Sequence, residues 1–456
     1  MYFYLRFKNV FRSENRMSRT LLINPYIHDF AAYDFWARPL GLMIMAGLLR
    51  DNGIAVEYLD LMDAQSPYLS QEMRPKRTPF GSGKFYRQPI PKPSFLPNIG
   101  RKFSRYGLPL EIARTMLDNF SKPDAVLVTS MMTYWYTGVS ETIDLVKNKW
   151  PGVPVILGGV YATLCEAHAR ACSGADVVAS GPAEQSLKTA AEVLGLPLAY
   201  IDSGASLPAH HFYTHAGSTA ILTSRGCPFA CPYCGIKTLH PKFVRYSLEK
   251  VLQEIIYIVH ESKIRDIAIF DDALFADTER AIELFHRIAD IETPVRLHAA
   301  SGLSCRGLSY EAALAMKQAG FSTVRIGLET ANPDLQKKLG GKVTEEEFHQ
   351  AVWNLIAAGF ERKAIGVYIM VGLPGQSMSD VERSVDDVLR LGIRPHLTEY
   401  SPVPGSPMFE EARAVSAYDL DEPLFHNPTL LPCSNADTSR SALSDIKLLI
   451  KARTQY

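Results

Sequence analysis

The sequence predicts an α/β protein in which an N-terminal, doubly wound, Rossmann-like domain is followed by a partial (β/α)6 barrel. The length of 456 residues exceeds that of one ordinary domain. Short apolar runs of strand type alternate with amphipathic helical segments on both sides of about residue 205. This alternation requires right-handed crossovers and parallel sheets, and such sheets bind ligands at the carboxyl ends of their strands.

Composition limits the setting of the protein. There are 48 basic and 48 acidic residues, so no overall field favours nucleic acid or anionic lipid. No apolar run reaches the ~18 residues of a transmembrane helix, and the first residues lack the charged-then-apolar order of a signal peptide. We therefore expect a cytoplasmic protein with no membrane partner. Residues 1–17 are expected to be a disordered lead or to reflect a misassigned start, because Met17 precedes the first strand.

The first block, residues 18–205, carries the pattern of the Rossmann-like domain. Strands are predicted at residues 20–25, 56–61, 125–130, 155–157 and 176–180, and helices at 39–50 and 137–149. The block lacks a G-x-G-x-x-G loop, so a dinucleotide cofactor is not expected. An insertion at 64–111, rich in proline and basic residues, is predicted to be an unstructured wrapping loop. The alternative is that it clasps an anionic group, such as a nucleotide tail or a phosphorylated substrate.

The second block, residues 206–413, repeats one β/α unit six times. Strands are predicted at residues 219–224, 266–270, 295–299, 323–328, 364–371 and 396–400. Two capping boxes, Thr344 with Glu347 and Ser379 with Glu382, predict the starts of two of the intervening helices. Six units do not close an eight-unit barrel, so an open barrel is expected. Residues 414–456 are expected to form a short C-terminal extension with one helix at 442–452.

Three cysteines lie within eight residues, at Cys227, Cys231 and Cys234. Thiolates at C-x₃-C-x₂-C spacing can bind one face of a [4Fe–4S] cluster and leave the fourth iron without a protein ligand, free to bind and activate a substrate. Zinc is the alternative, because His240 could complete a Cys₃His site. Zinc motifs, however, usually consist of two separated pairs. The spacing favours a cluster, and a zinc-stabilised binding protein without catalysis stays open.

The same segment carries a family resemblance. Cys-x₃-Cys-x-Tyr-Cys, directly after the strand predicted at 219–224, resembles the signature of the radical S-adenosylmethionine (SAM) superfamily. The resemblance covers roughly residues 218–411. It implies a six-unit barrel and a cluster whose open iron is chelated by the amine and carboxylate of SAM. It also implies an electron donor such as flavodoxin or ferredoxin, and reductive cleavage of SAM to methionine and a 5′-deoxyadenosyl radical.

Candidate SAM-binding residues stand at the ends of the barrel strands. Asp271 and Asp272 follow a strand directly; the resemblance implies that they lie near the methionyl amine of SAM, and helix capping is the alternative. Glu329 ends the fourth strand in a Gly-x-Glu segment similar to that of the family. The further candidates are Tyr233, whose ring could lie against a flat ligand, Ser301 after the third strand, and Gly372 and Pro374 in a glycine turn that allows close backbone approach.

The first block resembles the cobalamin-binding-type domain that precedes many radical SAM domains. The resemblance rests on Asn24-Pro25, Pro39-Leu-Gly41 and Leu157-Gly-Gly159. A bound cobalamin is expected at the strand ends near Ser130, Gly158 and Gly159. The Asp-x-His-x-x-Gly motif that supplies an axial histidine in such domains is absent, and His28 is interpreted as a surface or loop histidine. Some relatives bind cobalamin without this histidine, so cobalamin stays an open alternative.

The sequence thus predicts a radical SAM enzyme acting on an unidentified small molecule or peptide, either by hydrogen abstraction or by cobalamin-assisted methyl transfer. No residue is assigned to the chemistry on the substrate. The alternative within the family is an RNA-modifying methylthiotransferase. Against it, the first block has no second three-cysteine cluster and the C-terminus is not a basic RNA-binding module, so nucleic acid is not an expected partner.

Overall fold

The computed structural model describes residues 18–36, 38–213, 216–435 and 437–454. The lead expected at residues 1–17 lies outside the described residues. Within the described ranges, no helix combines the length and the apolar character that a bilayer span requires.

The N-terminal half is built on a parallel sheet of five strands. The strands of this half are β1 (Arg19–Asn24), β2 (Ile27–Asp29), β3 (Tyr33–Asp34), β4 (Ala55–Asp60), β5 (Gly83–Lys84), β6 (Arg87–Pro89), β7 (Ser104–Tyr106), β8 (Ala125–Val128), β9 (Val155–Leu157) and β10 (Val177–Val178). The sheet has the order β10-β9-β8-β1-β4. From β1 the chain first adds β4 on one side and then β8, β9 and β10 on the other, so the strand order reverses between β1 and β8. Open α/β sheets bind ligands in the crevice at this switch point. The five strands predicted for this domain are therefore confirmed.

Helices cover both faces of this sheet, as the doubly wound prediction requires. They are α1 (Leu40–Asp51), α2 (Leu110–Asp118), α3 (Tyr136–Lys149), α4 (Val160–Leu164), α5 (Glu166–Cys172) and α6 (Ala183–Leu194). Alternate residues of β1 enter different cores: Leu21 and Ile23 pack with the residues of α2 and α3, whereas Leu22 packs with those of α1 and α6. Each such fully buried side chain stabilises the fold by roughly 1.5–3 kcal/mol.

The C-terminal half is an open barrel of six parallel strands. A short antiparallel pair, β12 (Ser224–Arg225) with β13 (Val244–Arg245), frames the cysteine loop. The barrel strands are β11 (Ser218–Ile221), β14 (Asp266–Ile269), β15 (Arg296–Ala299), β16 (Phe321–Glu329), β17 (Ile365–Val371) and β18 (Arg394–Glu399). They lie side by side in sequence order, and each neighbouring pair is parallel. This confirms the six predicted units.

Helices connect these strands and continue to the C-terminus. They are α7 (Ile236–Leu239), α8 (Leu248–Tyr257), α9 (Thr278–Ala289), α10 (Tyr310–Gln318), α11 (Pro333–Lys338), α12 (Glu345–Ala357), α13 (Met378–Arg390), α14 (Phe409–Val415) and α15 (Arg440–Arg453). The capping box of Thr344 and Glu347 is present. The box predicted at Ser379 and Glu382 is wrong. Ser377 caps α13 instead, because the helix begins one residue before Ser379 and the Ser377 hydroxyl accepts from the N–H of Asp380.

The insertion at 64–111 is not an unstructured run throughout. Its strands β6 and β7 form an antiparallel sheet with β2, and β5 pairs with β3. Leu96 and Phe103 of the insertion pack with Phe30 and with Leu424 and Leu430 of the C-terminal extension. The insertion therefore wraps the molecule, as predicted, and it packs against both the segment after β2 and the C-terminal extension.

One side chain of the N-terminal half reaches the inner face of the barrel. The indole of Trp36 stacks on the imidazole of His298 in β15, with ring centroids 4.5 Å apart. Its Nε1–H donates to the carbonyl of Phe80 in the insertion at 2.7 Å. The indole packs with the alanines of β11 and β14, Ala220 and Ala268. These contacts set the N-terminal sheet against the first half of the barrel.

Candidate functional site

The cysteine loop holds its three thiols at one end of the barrel. Cys227 is buried, and Cys231 and Cys234 are half-buried. Backbone N–H groups of Phe229 and Ile236 donate to the sulfurs of Cys227 and Cys234, respectively. Such N–H···S contacts stabilise thiolates and tune the potential of a bound cluster. The loop thus offers three sulfur ligands that are already supported by backbone donors.

Glycine and an outside contact fix the shape of this loop. Gly226 has φ +79°, and a Cβ there would stand 2.4 Å from the carbonyl oxygen of Lys242. Only glycine fits this approach without displacing backbone. The Met408 N–H donates to the carbonyl of Pro232 at 2.9 Å, which ties the loop to the segment after β18.

The sulfur positions do not suit zinc. A tetrahedral site with Zn–S bonds of about 2.3 Å holds its thiolates about 3.8 Å apart. Within the part of the chain that the structure describes, the group of three His, Cys, Asp or Glu side chains with ligand atoms all within 4.8 Å is Glu345, His349 and Asp387, on α12 and α13. The three cysteines and His240 do not form such a group. Their ligand atoms are therefore not all within 4.8 Å of one another, which favours the separate corners of an iron–sulfur cluster over a compact zinc site.

The two aspartates after β14 have different positions. Asp271 is 2% exposed, and its carboxylate accepts from the N–H and hydroxyl of Thr223 and from the hydroxyl of Ser224. These bonds hold the segment that leads into the cysteine loop, and they leave Asp271 directed away from any ligand space. Asp272 accepts from the Gly226 N–H at 3.1 Å and lines a cavity between the N-terminal sheet and the barrel. Burial, together with the charge of Asp271, raises the pKa of Asp272 to about 6.

Glu329 forms a second polar centre with a lysine. It adopts φ +64°, a left-handed conformation that is strained for glutamate and is typical of functional sites. Its Oε1 lies 3.9 Å from Nζ of Lys342, and the Tyr233 hydroxyl donates to it. Burial raises the pKa of Glu329, and the Lys342 charge opposes that rise. Tyr233, Glu329 and Lys342 line one small pocket next to the cysteine loop.

The other predicted SAM-site residues stand at neighbouring strand ends. Ser301 is half-buried just past β15. Gly372 follows β17 with φ +82°. Pro374 is buried in a turn that Gln376 braces, since its amide accepts from the Leu373 N–H at 3.3 Å and donates to the Met370 carbonyl at 3.0 Å. Their contact with SAM stays a prediction.

A cavity of about 370 Å³ lies between the N-terminal sheet and the barrel. The N-terminal side supplies the strand ends at Thr129, Ser130, Gly158, Gly159 and Gly181, and the barrel side supplies Leu222, Arg225, His240, Phe270 and Asp272. The strand ends of β8 and β9 therefore face the same space as the residues that flank the cysteine loop. Ser130, Gly158 and Gly159 were predicted to lie at such a site, and the structure brings all three together.

Two glycines form the turn after β9 that lines the cavity. Gly159 has φ +91°, and a Cβ there would stand 2.4 Å from the carbonyl oxygen of Ser130. The Ser130 hydroxyl donates to the Gly158 carbonyl at 3.0 Å and accepts from the Tyr161 N–H at 3.0 Å. Ser130 thus positions this turn, and residue 159 has to be glycine because a side chain there would meet the Ser130 backbone.

Sequence reasoning assigned no role in SAM or cobalamin binding to three residues of this region, one of which, His240, it considered only as a zinc ligand. Arg225 binds Glu184 of α6 through both guanidinium nitrogens, at 2.9 and 3.1 Å, and so joins the barrel to the N-terminal domain. His240 lines the cavity, and burial lowers its pKa to about 4, which keeps the imidazole neutral. Lys342 is the third. The signals were a charge two residues before the first cysteine and a lysine after Gly340-Gly341, but neither reveals its partner.

His28 was expected to be a surface or loop histidine, and that interpretation is wrong. It is 7% exposed in β2, where Nε2 lies 2.7 Å from Oε2 of Glu141. The short strand pairs with β7 of the insertion, which covers it. His28 is not among the residues that line the large cavity.

Each half of the chain matches the model of a known protein family. Residues 221–388 match the model of the radical SAM superfamily, and residues 109–191 match that of the B12-binding domain. The first match spans the cysteine loop, Asp271, Asp272 and Glu329. The second spans the strand ends that carry Ser130, Gly158 and Gly159.

Individual proteins show the same similarity. An uncharacterized methyltransferase of Pyrococcus horikoshii is 27% identical over 326 residues, which are 64% of this chain and 70% of the relative. Cytidylyl-2-hydroxyethylphosphonate methyltransferase of Streptomyces wedmorensis is 22% identical over 90% of this chain and 84% of its own length. The structure of the radical SAM methyltransferase TsrM from Kitasatospora setae has the same fold, with a TM-score of 0.64 and 18% identity over 88% of this chain and 77% of TsrM. The chain belongs to the radical SAM superfamily and carries a B12-binding domain ahead of its radical SAM domain.

Proposed function

We propose that this protein is a cobalamin-dependent radical SAM methyltransferase that acts on an unidentified small molecule or peptide. The observation that carries the proposal is the cavity of about 370 Å³, which the strand ends of the B12-binding domain share with the residues flanking the cysteine loop. A methyl carrier and a SAM-binding cluster have to face one space for methyl transfer. The names of the similar Pyrococcus and Streptomyces proteins as methyltransferases support the same reaction.

The residues fit the two cofactors. Cys227, Cys231 and Cys234 would hold a [4Fe–4S] cluster, and the Gly158–Gly159 turn would receive the corrin, because no side chain obstructs it. The TsrM fold has been observed with cobalamin and a [4Fe–4S] cluster bound. When bound, the cluster supplies the electron for cleavage of SAM and the cobalamin supplies a methyl carrier.

Cobalamin binding in this chain would not use an axial histidine of the B12-binding domain. Among the described residues that line the cavity, the histidine is His240, which belongs to the segment after the cysteine loop. The missing Asp-x-His-x-x-Gly motif agrees with this geometry. We therefore propose that backbone at Gly158 and Gly159 and apolar side chains provide the lower surface of the site.

The remaining site residues bind and orient SAM in this proposal. Glu329 would accept a hydrogen bond from the bound SAM and Lys342 would balance its charge. Tyr233 lies beside them, and Asp272, Ser301, Gly372 and Pro374 complete the strand ends around the cluster. Asp271 is a positioning residue, since it holds Thr223 and Ser224 ahead of the cysteine loop.

We also propose a division of the chain into the B12-binding domain at 18–205, the radical SAM domain at 206–413 and an extension at 414–456. Radical SAM enzymes need a reductant, and a small electron-transfer protein such as flavodoxin or ferredoxin would supply the electron. A cluster with an open iron needs reduced thiols and protection from oxidants, which favours the cytoplasm as its location.

Anaerobic reconstitution with iron, sulfide and cobalamin tests the proposal. The expected result is a brown protein that retains corrinoid and, with a reductant, converts SAM to 5′-deoxyadenosine and methionine or to S-adenosylhomocysteine. Cys231→Ala should abolish the cluster absorbance and SAM turnover, whereas Cys172→Ala, at an exposed cysteine of α5, should retain both. A colourless protein that binds zinc, and in which Cys231→Ala changes only stability, would overturn it.

A further inference from the structure

A second cavity, of about 150 Å³, opens beside the edge strand β18 of the barrel. Three segments far apart in the chain line it: the insertion at Ile99 and Arg101, residues 428–431, and one side of α15 from Arg440 to Lys447. We call it the edge pocket. Neither family match includes any of these residues: Ile99 and Arg101 precede the match at 109–191, and the others follow the match at 221–388.

The edge pocket carries an excess of positive charge. Arg101, Arg440 and Lys447 face it together with one carboxylate, that of Glu399. Lys447 binds Glu399. Neither Arg101 nor Arg440 forms an ion pair with any carboxylate in the described part of the chain, so three cations and one anion leave a net charge of +2.

Arg101 and Arg440 line the same cavity, and neither has a carboxylate partner among the described residues. Partial burial lowers the pKa of Arg440, and the nearby charge of Arg101 lowers it further. Other arginines of this region behave differently: Arg453, on the same helix, pairs with Asp386 at 3.2 Å, and Arg413 pairs with Asp421 at 2.8 Å. The exposed Arg101 and the half-buried Arg440 thus bring two positive charges to one cavity, which makes it a favourable place for an anion.

The position of the edge pocket relates it to the proposed SAM site. Glu399 is the last residue of β18, so the pocket opens at the carboxyl edge of the sheet, as the cysteine loop does. Leu431, with φ +51°, forms part of its wall. The Cδ2 of the same leucine lies 3.6 Å from where a Cβ of Gly372 would stand. A single side chain therefore separates the pocket from a strand end assigned to SAM.

We propose that the edge pocket binds a phosphate or phosphonate group of the substrate. Two guanidinium groups offer paired N–H donors that match the oxygens of a tetrahedral oxyanion, and a dianion balances the net charge of +2, whereas a carboxylate balances half of it. Thr429 lies on the same wall. That the group belongs to the substrate rests on the proposed function; the affinity of the pocket for the anion does not.

Titration calorimetry on the reconstituted protein tests the pocket, with inorganic phosphate and methylphosphonate as probes and acetate for comparison. We expect one saturable site for each phosphorus anion and weaker binding of acetate. Arg440→Gln and Arg101→Gln should each raise the dissociation constants at least tenfold. The matched control, Arg453→Gln, removes a cation from the same helix at a paired position and should leave them unchanged. Equal binding by wild type and Arg440→Gln, or acetate binding as tight as that of phosphate, would overturn the proposal.

The same titration in the presence and absence of cobalamin separates two sources of the anion. If cobalamin abolishes phosphate binding, its own phosphodiester occupies the pocket and the assignment to substrate is wrong. If phosphate binds equally well to both forms, the assignment stands. Cleavage of SAM in the absence of substrate should be the same in Arg440→Gln and wild type, so a loss of that reaction in both proteins speaks against the proposed function and not against the pocket.

Discussion

The carboxylate of Asp271 accepts hydrogen bonds from both the backbone N–H and the hydroxyl of Thr223, each at 2.6 Å. Thr223 lies between β11 and β12. Cys227, the first cysteine of the loop, comes two residues after β12 ends at Arg225. The end of β14 thereby determines where the chain leaves β11. The cluster ligands depend on a neighbouring strand for their position, although they lie together in the sequence.

Asp271→Asn tests this dependence. The substitution keeps the size of the side chain, but it replaces one acceptor oxygen by an N–H₂ group that faces buried donors. Leaving such donors unsatisfied costs about 1–3 kcal/mol. We expect lower stability in thermal unfolding and less iron and sulfide per chain after reconstitution. Asp290→Asn, at the exposed end of α9, is the matched control and should retain full iron content. Full cluster occupancy in Asp271→Asn would show that the loop folds independently of β14.

Gly159→Ala tests the backbone surface proposed for cobalamin. Gly159 has φ +91° and ψ −164°, a region that is open essentially to glycine alone, and an added Cβ would stand 2.4 Å from the Ser130 carbonyl oxygen. We expect a loss of about 1–3 kcal/mol in stability and loss of corrinoid from the purified protein. Gly152→Ala separates strain from contact, because Gly152 also has a positive φ, +80°, but nothing lies within 4 Å of its added Cβ. It should lose some stability and retain corrinoid; equal corrinoid content in the two variants would contradict the assignment.

Arg225→Gln tests the link between the two domains. Burial alone would raise the pKa of Glu184, but hydrogen bonds from Arg225 and Ser203 outweigh it and hold that pKa below the ordinary 4.5. A carboxylate with a lowered pKa stabilises the fold fully above its unfolded value and loses this contribution as the pH falls through the folded value. The free energy of unfolding of wild type should therefore exceed that of Arg225→Gln by about 1–3 kcal/mol near neutral pH. This difference in stability should shrink below pH 4.5.

Denaturant unfolding across this pH range measures that difference. The control is Arg287→Gln, which removes an exposed ion pair with Glu249. Exposed ion pairs contribute little to stability because water and salt screen them, so this variant should stay close to wild type. A difference between wild type and Arg225→Gln that is independent of pH would mean that Arg225 acts through packing and not through its charge.

The sequence predicts the position of the long buried strands well, and it predicts helix caps and the pairing partners of short strands poorly. Apolar runs such as Leu21-Leu-Ile23 are buried on both faces, so local pattern alone identifies them as strands of a parallel sheet. The wrong capping box at Ser379 came from a second serine two residues after the true cap, Ser377. The short strands of the insertion depend on pairing with β2 and β3, which lie far away in the chain. No local pattern encodes such a partner.

The same limit explains which site residues were found. Cys227, Cys231 and Cys234 could be identified from the sequence because all three cluster ligands lie in one loop. The pairs Arg225 with Glu184 and Lys342 with Glu329 join separate elements, and their members become partners only through the fold. Asp271 and Asp272 are adjacent and alike in sequence. Alternation of side chains past the end of β14 turns one toward Thr223 and the other toward the cavity.

Lys342→Met tests whether Lys342 supports the proposed SAM site through Glu329. Burial already raises the pKa of Glu329, and Lys342 is the charge that opposes this rise. Methionine keeps the length and the apolar stem of the side chain, so the variant removes mainly the charge. The Glu329 carboxyl should then take up a proton at a higher pH, and a protonated carboxyl accepts a hydrogen bond from SAM less well. We expect the dissociation constant of SAM to rise about tenfold, which corresponds to ~1.4 kcal/mol. The loss of SAM affinity should become smaller as the pH increases, because the carboxyl ionises again.

Equilibrium binding of SAM to the reconstituted protein measures this loss of affinity, and Lys337→Met, at an exposed lysine of α11, is the matched control. If Lys342→Met binds SAM as tightly as wild type at every pH, Glu329 does not depend on the lysine and its assigned contact with SAM loses its support.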